Sequence, residues 1–243
     1  MTRQWKKGER KYKYELKVIP LEEALKIVES VPKESYTRER DQALIALTIL
    51  FGKRANEILA IKKESVWVDE KFFYVRFKVL KKRRRRKICL KCNKRVALKA
   101  KLCGYCGSEE FKLETYGENF TERVKHKNVN HPLAKYFLDW WSKVPKESYV
   151  FSALKRVSVL RGVYEYNWSK PMTYVRMWQI FHSVSGVSPH GFRHSLATKL
   201  AEVGEYDELD LLYWFDWESF DTARRYIHRG GGKRVRKIAS FIG

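Results

Sequence analysis

The sequence lacks any apolar run of the roughly 20 residues that a membrane-crossing helix needs. Its opening stretch, MTRQWKKGERKYKYELK, has no apolar centre of the kind a signal peptide carries. The expectation is a chain with neither a membrane span nor a secretory leader. Cysteine is scarce: there are four, grouped in two close pairs. That excludes a disulfide scaffold and points to a reducing compartment and a metal. Acidic residues are also short, 28 against 51 lysines and arginines, for a net charge of +23. An excess of that size implies a polyanionic partner, because release of counterions from phosphates drives association. A membrane surface would attract it too, but nucleic acid is the favoured reading. Internal repeats are absent as well. VPKESY occurs at 31–36 and 144–149, but its flanks do not match.

What is present suits one large domain, or one domain with a small appendage, in 243 residues of which 44% are hydrophobic. Residues 1–18 read as a basic, aromatic arm or the end of a linker. Residues 19–31 predict a helix opened by Pro20, with Leu21, Leu25 and Val28 on one face. Residues 37–66 predict two helices broken near Gly52, the first buried from Ala43 to Phe51. WVDEKFFYVRFKVL (67–80) predicts a strand or hairpin, and 121–130 another strand. Helices are expected over 131–144, 173–186, 188–205, 207–215 and 221–229, with 149–173 irregular between them. Ser188 and Pro189 cap and start the helix that Gly204 ends. The tail 233–243 has a small amphipathic pattern. The predicted fold class is α+β, mainly helical, around a small antiparallel sheet.

Between the two predicted strands lies KKRRRRK (81–87), seven like charges that must face solvent or phosphate. CLKC and CGYC follow, so Cys89, Cys92, Cys103 and Cys106 form a CxxC-x10-CxxC pattern. Each CxxC knuckle presents two thiolates, and four thiolates satisfy tetrahedral zinc. All four positions are then filled by protein, so the metal would be structural. The reading is a zinc ribbon over 87–115, inserted at a hairpin tip. The adjacent Lys82, Arg83, Arg84, Arg85 and Arg86 would grip DNA.

The remaining motifs are weak one by one. GKRANE offers Arg54 and Glu57 three residues apart, ordinarily an intrahelical salt bridge. HGFRHS places His190 and Arg193 three apart at a helix start, where backbone N–H groups favour phosphate. WFDWESFDTARRYIH sets Trp217 nine residues before Tyr226, and a helical tyrosine is ordinarily a core residue with a wet hydroxyl.

Taken in order they resemble the tyrosine recombinases of the phage-integrase type. That family's pattern is an arginine in G-x-R-x-x-E, a hairpin lysine, H-x-x-R-H, a histidine or tryptophan, and a tyrosine nine residues later. The resemblance covers about residues 20 to 230 and implies a catalytic domain over 19–232. It implies Tyr226 as nucleophile, forming a 3′-phosphotyrosyl bond and freeing a 5′-hydroxyl. Arg54 and Arg193 would hold the non-bridging oxygens, with Glu57 orienting Arg54. A hairpin lysine would protonate the leaving oxygen, His190 would assist proton transfer at Tyr226, and Trp217 would wall the pocket. Lys78, Lys81 and Lys82 are candidates for that lysine, with Lys81 favoured. Neither ATP nor a catalytic metal is implied. The implied partner is double-stranded DNA, with a monomer when free, a tetramer at synapsis and a cytoplasmic, DNA-associated location.

The sequence departs from the family twice. The helical clamp domain that usually precedes the catalytic domain is not visible, since residues 1–18 are too short for it. The cysteine insertion also splits the hairpin that should carry the lysine. Two other readings therefore stay open: a zinc-ribbon DNA-binding protein that does not cut, and a type IB topoisomerase-like enzyme.

Overall fold

Helix placement follows from where the chain can be capped. The computed structural model describes residues 18–80, 84–116, 120–158 and 163–227. Helix α1 (Leu21–Glu29) begins after Pro20. Its buried residues are Ala24 and Val28, while Leu21 of the expected stripe is 37% exposed. Helix α2 (Arg38–Phe51) is the central element. Ala43 to Phe51 is buried throughout except for the half-buried Ile49. Fully burying side chains such as its leucines and isoleucines stabilises by about 1.5–3 kcal/mol each. It ends at Gly52 in the left-handed conformation, φ 57°. A Cβ there would come within 2.9 Å of both Leu196 and Phe215, so glycine is required by close packing as well as by the turn.

After the short helix α3 (Ala55–Leu59) and a 3₁₀ turn, the chain forms β1 (Val66–Val68) and β2 (Phe72–Leu80). Strand β2 alternates: Phe73, Val75, Phe77 and Val79 are buried, while Arg76 and Lys78 face out. Its antiparallel partner is β6 (Phe120–Asn128), in register from Phe72 opposite Asn128 to Leu80 opposite Phe120. The 39 residues between these two strands are therefore an insertion into one hairpin. Within it, β3 (Arg84–Cys89), β4 (Arg95–Val96) and β5 (Phe111–Tyr116) form a separate sheet in the order β4-β3-β5. The basic block is thus partly strand, because Arg84 to Lys87 pair with Tyr116 to Leu113.

Helix α4 (Ala134–Lys143) follows and packs on α2. The stretch expected to be irregular is instead a hairpin, β7 (Ser152–Ser158) with β8 (Val163–Pro171). Register shifts between Ser152 and Ala153, and between Arg156 and Ser158, break the period-two alternation that would have revealed it. Helices α5 (Tyr174–Ser185), α6 (Pro189–Val203), α7 (Glu208–Phe215) and α8 (220–227) complete the described chain. Ser188 caps α6 by accepting from the Gly191 N–H, and Gly204 ends it at φ 77°. Asp207 and Asp210 form a reciprocal capping box on α7.

Two clusters make the interior. The larger gathers α1 to α5, β1, β2 and the start of α6 around α2. The smaller joins Ala197, Ala201, Leu211, Phe215, Ala223, Tyr226 and Ile227, from α6, α7 and α8. Trp214 packs against both, so α7 ties the C-terminal helices to the main body.

Candidate active site

The site lies where three chain segments meet: the turn after α2, the start of α6, and the turn after α7. Arg193 is 3% exposed and binds the first and third together. Its Nη1 donates to the Gly52 carbonyl at 2.7 Å and its Nη2 to the Phe215 carbonyl at 2.6 Å. Its guanidinium lies 5.0 Å from the Phe215 ring centroid and 5.7 Å from that of Trp217. Burial, then the charge of Arg54, lowers its pKa to about 10, so it stays cationic at neutral pH. Two of its five N–H groups serve these carbonyls, which leaves donor capacity for an anion.

Lys53 repeats the stitch beside it. It is 1% exposed, and its Nζ donates to the Trp214 carbonyl at 2.6 Å and to the Asp216 carboxylate. Asp216 sits at φ 50° as the left-handed cap of α7. Burial pulls the Lys53 pKa down to about 8, against the opposing pull of Asp216. Trp214 closes the seam by donating Nε1–H to the Phe51 carbonyl at 3.2 Å. From β6, Lys125 donates to the Tyr213 carbonyl at 2.5 Å, and the Lys127 ammonium lies 4.5 Å from the Trp214 ring centroid. Burial lowers the pKa of both lysines.

Arg54 stands at the N-terminus of α3, with its side chain 43% exposed. Glu57 holds it twice, accepting from the Arg54 side chain at 2.9 Å and from the Arg54 backbone N–H at 3.0 Å. The glutamate side chain is fully buried, so it fixes the arginine from beneath and leaves the outer guanidinium edge open.

Tyr226, on α8, is 7% exposed. Trp217 stacks on it at 5.2 Å and 10°, and Phe215 stacks on Trp217 at 4.8 Å. The tyrosine hydroxyl is hydrogen-bonded to Nδ1 of His194. His194 Nε2 in turn lies 2.7 Å from His190 Nε2. Desolvation, then the charges of Arg193 and Arg54, lowers the His190 pKa. Arg54, His190, Arg193, Trp217 and Tyr226 thus lie around one place in the fold.

Residues 17–230 match the model of the phage integrase family. The chain belongs to the phage integrase family. Two solved structures of the XerH site-specific recombinase share its fold. The complex with difH substrate before cleavage gives a TM-score of 0.52, and the complex with palindromic difH after cleavage gives 0.55. Each is 18% identical and covers 92% of this chain. The integrase of the Tn1549 transposon, in complex with transposon right-end DNA, is 11% identical over 91% of this chain and 65% of its own, at a TM-score of 0.49. The chain spans about half the length of the XerH chains it matches, 52% and 53%. No curated protein matches it.

The candidate lysines fare differently. Lys81, Lys82 and Arg83 lie outside the described residues, as do residues 1–17 and the tail from 228. Lys78 is exposed on β2, with its ammonium 4.9 Å from the Phe120 ring centroid. Arg85 and Arg86 are exposed on β3, and Arg86 pairs with Glu114 at 2.8 Å. Of Arg84 only the backbone is described.

The four cysteines converge at the other end of the insertion. Cys89 and Cys106 are 3.5 Å apart, as are Cys92 and Cys103, and all four sulfurs lie within 4.8 Å of one another. Tetrahedral ligation at the usual zinc–sulfur distance of about 2.3 Å puts sulfurs roughly 3.8 Å apart. The backbone N–H of Cys92 lowers the Cys89 pKa to about 6, and that of Tyr105 lowers Cys103. Such donors favour thiolates at these two, the form that binds metal, while desolvation and the neighbouring cysteine sulfurs push the Cys106 thiol up to about 12. The four can hold a metal ion.

Lys53 and Asp216 escaped the sequence reading, and His194 stood in the H-x-x-R-H pattern without a role. His194 had a signal, since it stands four residues after His190 and so on the same helix face. Lys53 and Asp216 had none, because their pairing spans 163 residues.

Proposed function

We propose that the chain cuts and rejoins DNA as a site-specific recombinase, through a 3′-phosphotyrosyl intermediate on Tyr226. The support that carries this reading is the meeting of Arg54, His190, Arg193 and Trp217 around one buried tyrosine hydroxyl, in a chain with net charge +23. A phosphodiester repels nucleophiles and has a poor leaving group, so charge must be neutralised before attack. Arg54 and the unused donors of Arg193 clamp the two non-bridging oxygens and stabilise charge that grows in the transition state. Trp217 aligns the phenol by stacking. Forming a covalent ester on tyrosine divides the exchange into two steps and conserves the phosphoester, so no ATP enters. Lys81 protonates the leaving 5′ oxygen and returns to the amine form as it does so.

The cysteine insertion holds one zinc through Cys89, Cys92, Cys103 and Cys106. The zinc supplies structure and no step of the reaction. It carries Arg85 and Arg86, with Lys82, Arg83 and Arg84 in the same block, toward the phosphates of the duplex. The chains assemble on DNA, as a tetramer when two sites are paired.

The test is a denaturing gel of protein incubated with supercoiled plasmid, beside the Tyr226→Phe variant. A covalent protein–DNA adduct from the wild type alone is expected, with DNA binding unchanged in the variant. An adduct that survives Tyr226→Phe removes the assignment of the nucleophile. Salt-sensitive binding with no adduct favours a protein that binds without cutting, and relaxation without site preference favours a topoisomerase.

A further inference from the structure

His190 is the histidine the motif order offers as the tyrosine's proton partner, yet the ring that touches the hydroxyl is the next one along. His194 stands on α6 one turn after His190, with Nδ1 on the Tyr226 hydroxyl and Nε2 on His190. Its ring lies nearly parallel to the tyrosine ring, 5.7 Å between centroids at 26°, and crosses the His190 ring edge-on at 4.2 Å and 81°. Building on the phosphotyrosyl reading above, we propose that His194 is the base that takes the Tyr226 proton, and that His190 is the second member of a two-histidine relay leading away from the nucleophile.

The hydrogen-bond directions follow from the chemistry. A phenol that must ionise donates, so His194 accepts at Nδ1. A neutral imidazole with an accepting Nδ1 carries its hydrogen on Nε2. That hydrogen donates across the 2.7 Å gap to His190 Nε2, which must then accept, leaving the His190 hydrogen on Nδ1. Each neutral ring thus has one defined tautomer, and the wire runs Tyr226 to His194 to His190. The groups facing the pair set its charge. Arg193 on α6 and Arg54 at the head of α3 both oppose a proton on His190, and Tyr226 faces His194 from α8. In the free protein these charges favour the neutral, proton-accepting form of His190.

The step balances as follows. The Tyr226 oxygen forms a bond to phosphorus while the bond from phosphorus to the 5′ oxygen breaks. The phenolic proton passes to His194 Nδ1, and the Nε2 proton of His194 passes to His190 Nε2. His190 becomes an imidazolium beside a phosphate whose negative charge offsets the repulsion of the two arginines. The 5′ oxygen takes its own proton from the hairpin lysine. Rejoining reverses every transfer, so the 5′-hydroxyl returns its proton to the lysine and the tyrosine recovers its proton from the pair.

The test measures the initial rate of covalent adduct formation on supercoiled plasmid for the wild type, Tyr226→Phe, His194→Gln and His194→Ala, with and without added imidazole. DNA affinity and melting temperature are recorded in parallel. His194→Gln keeps an acceptor near the hydroxyl but cannot carry a proton through. It is expected to slow the adduct by about a hundredfold or more, as general base loss does, with DNA affinity unchanged. Imidazole is expected to restore at least tenfold to His194→Ala and nothing to Tyr226→Phe. A His194→Gln rate within threefold of wild type overturns the proposal while leaving the phosphotyrosyl reading intact. A folded His194→Ala variant that imidazole does not rescue also overturns it. No adduct from the wild type removes the reading itself and the relay with it.

Discussion

The candidate cleft and the cysteine insertion are held together in opposite ways. The cleft is closed by buried charge. Arg193 and Lys53, nearly inaccessible, each bridge to the turn after α7, and the rings of Phe215, Trp217 and Tyr226 stack behind them. The insertion has almost no interior. Leu90, Leu98, Leu102, Tyr105 and Leu113 are each more than half exposed, while Cys89 and Cys103 are buried. Its small sheet therefore depends on whatever joins the four sulfurs. One region draws its order from the body of the protein, and the other must supply its own. The insertion leaves the hairpin itself in continuous register, from Phe72 opposite Asn128 to Leu80 opposite Phe120.

That contrast predicts a separable collapse. On the zinc reading proposed above, a strong chelator, or Cys89→Ser, is expected to unfold residues 84–116 completely. Structural zinc contributes about 10 kcal/mol or more to such folds. Hydrogen exchange by mass spectrometry will show full loss of protection there and native protection in α2. Loss of protection in both regions breaks the comparison.

Inside the cleft, Asp216→Ala is expected to cost about 3–5 kcal/mol, since it leaves the Lys53 charge buried without its carboxylate. Lys53→Met is expected to cost less. Arg123, at 3.8 Å, and Lys125, at 4.0 Å, still face Asp216 in that variant. Denaturant unfolding of the two variants gives the order, and equal losses would mean that the pair is not the seam.

The pH dependence is next in size. The His190 pKa is lowered, so its neutral, proton-accepting form persists below the usual histidine value near 6.5. As pH falls through that lowered value, His190 becomes protonated and can no longer accept the proton relayed from Tyr226. Adduct formation is expected to hold from pH 8 to below about 6.5, and to fall about tenfold per pH unit only under the lowered value. A rate rising toward acid would contradict a histidine base. The smallest effect belongs to the basic strand. Arg85→Ala is expected to weaken plasmid binding modestly and to reduce the salt slope by about one. An unchanged slope places that side chain off the DNA.

The spacing of short motifs carried most of the candidate site. Arg54, His190, Arg193, Trp217 and Tyr226 were legible because an ordered series of gaps constrains what each weak motif cannot. Helix α6 was legible from its caps, Ser188 and Gly204. The β7–β8 hairpin was not, since its bulges scramble the alternation on which strand reading depends. Lys53 and Asp216 were invisible for a different reason. A buried ion pair formed across 163 residues leaves no local pattern, and a lysine in GKR looks like one more surface charge. His194 lay between these cases: its helical spacing from His190 was readable, but its contact with Tyr226 depends on how α8 docks.

The most direct measurement is to locate the nucleotide on the protein. The adduct formed on plasmid is digested with nuclease and trypsin, and the peptides are sequenced by mass spectrometry. Cleavage after Arg225 releases Tyr226 in the four-residue peptide YIHR. The account predicts that this peptide carries a 3′-linked nucleotide on its tyrosine. A nucleotide on any other residue, or linked through its 5′ phosphate, contradicts it.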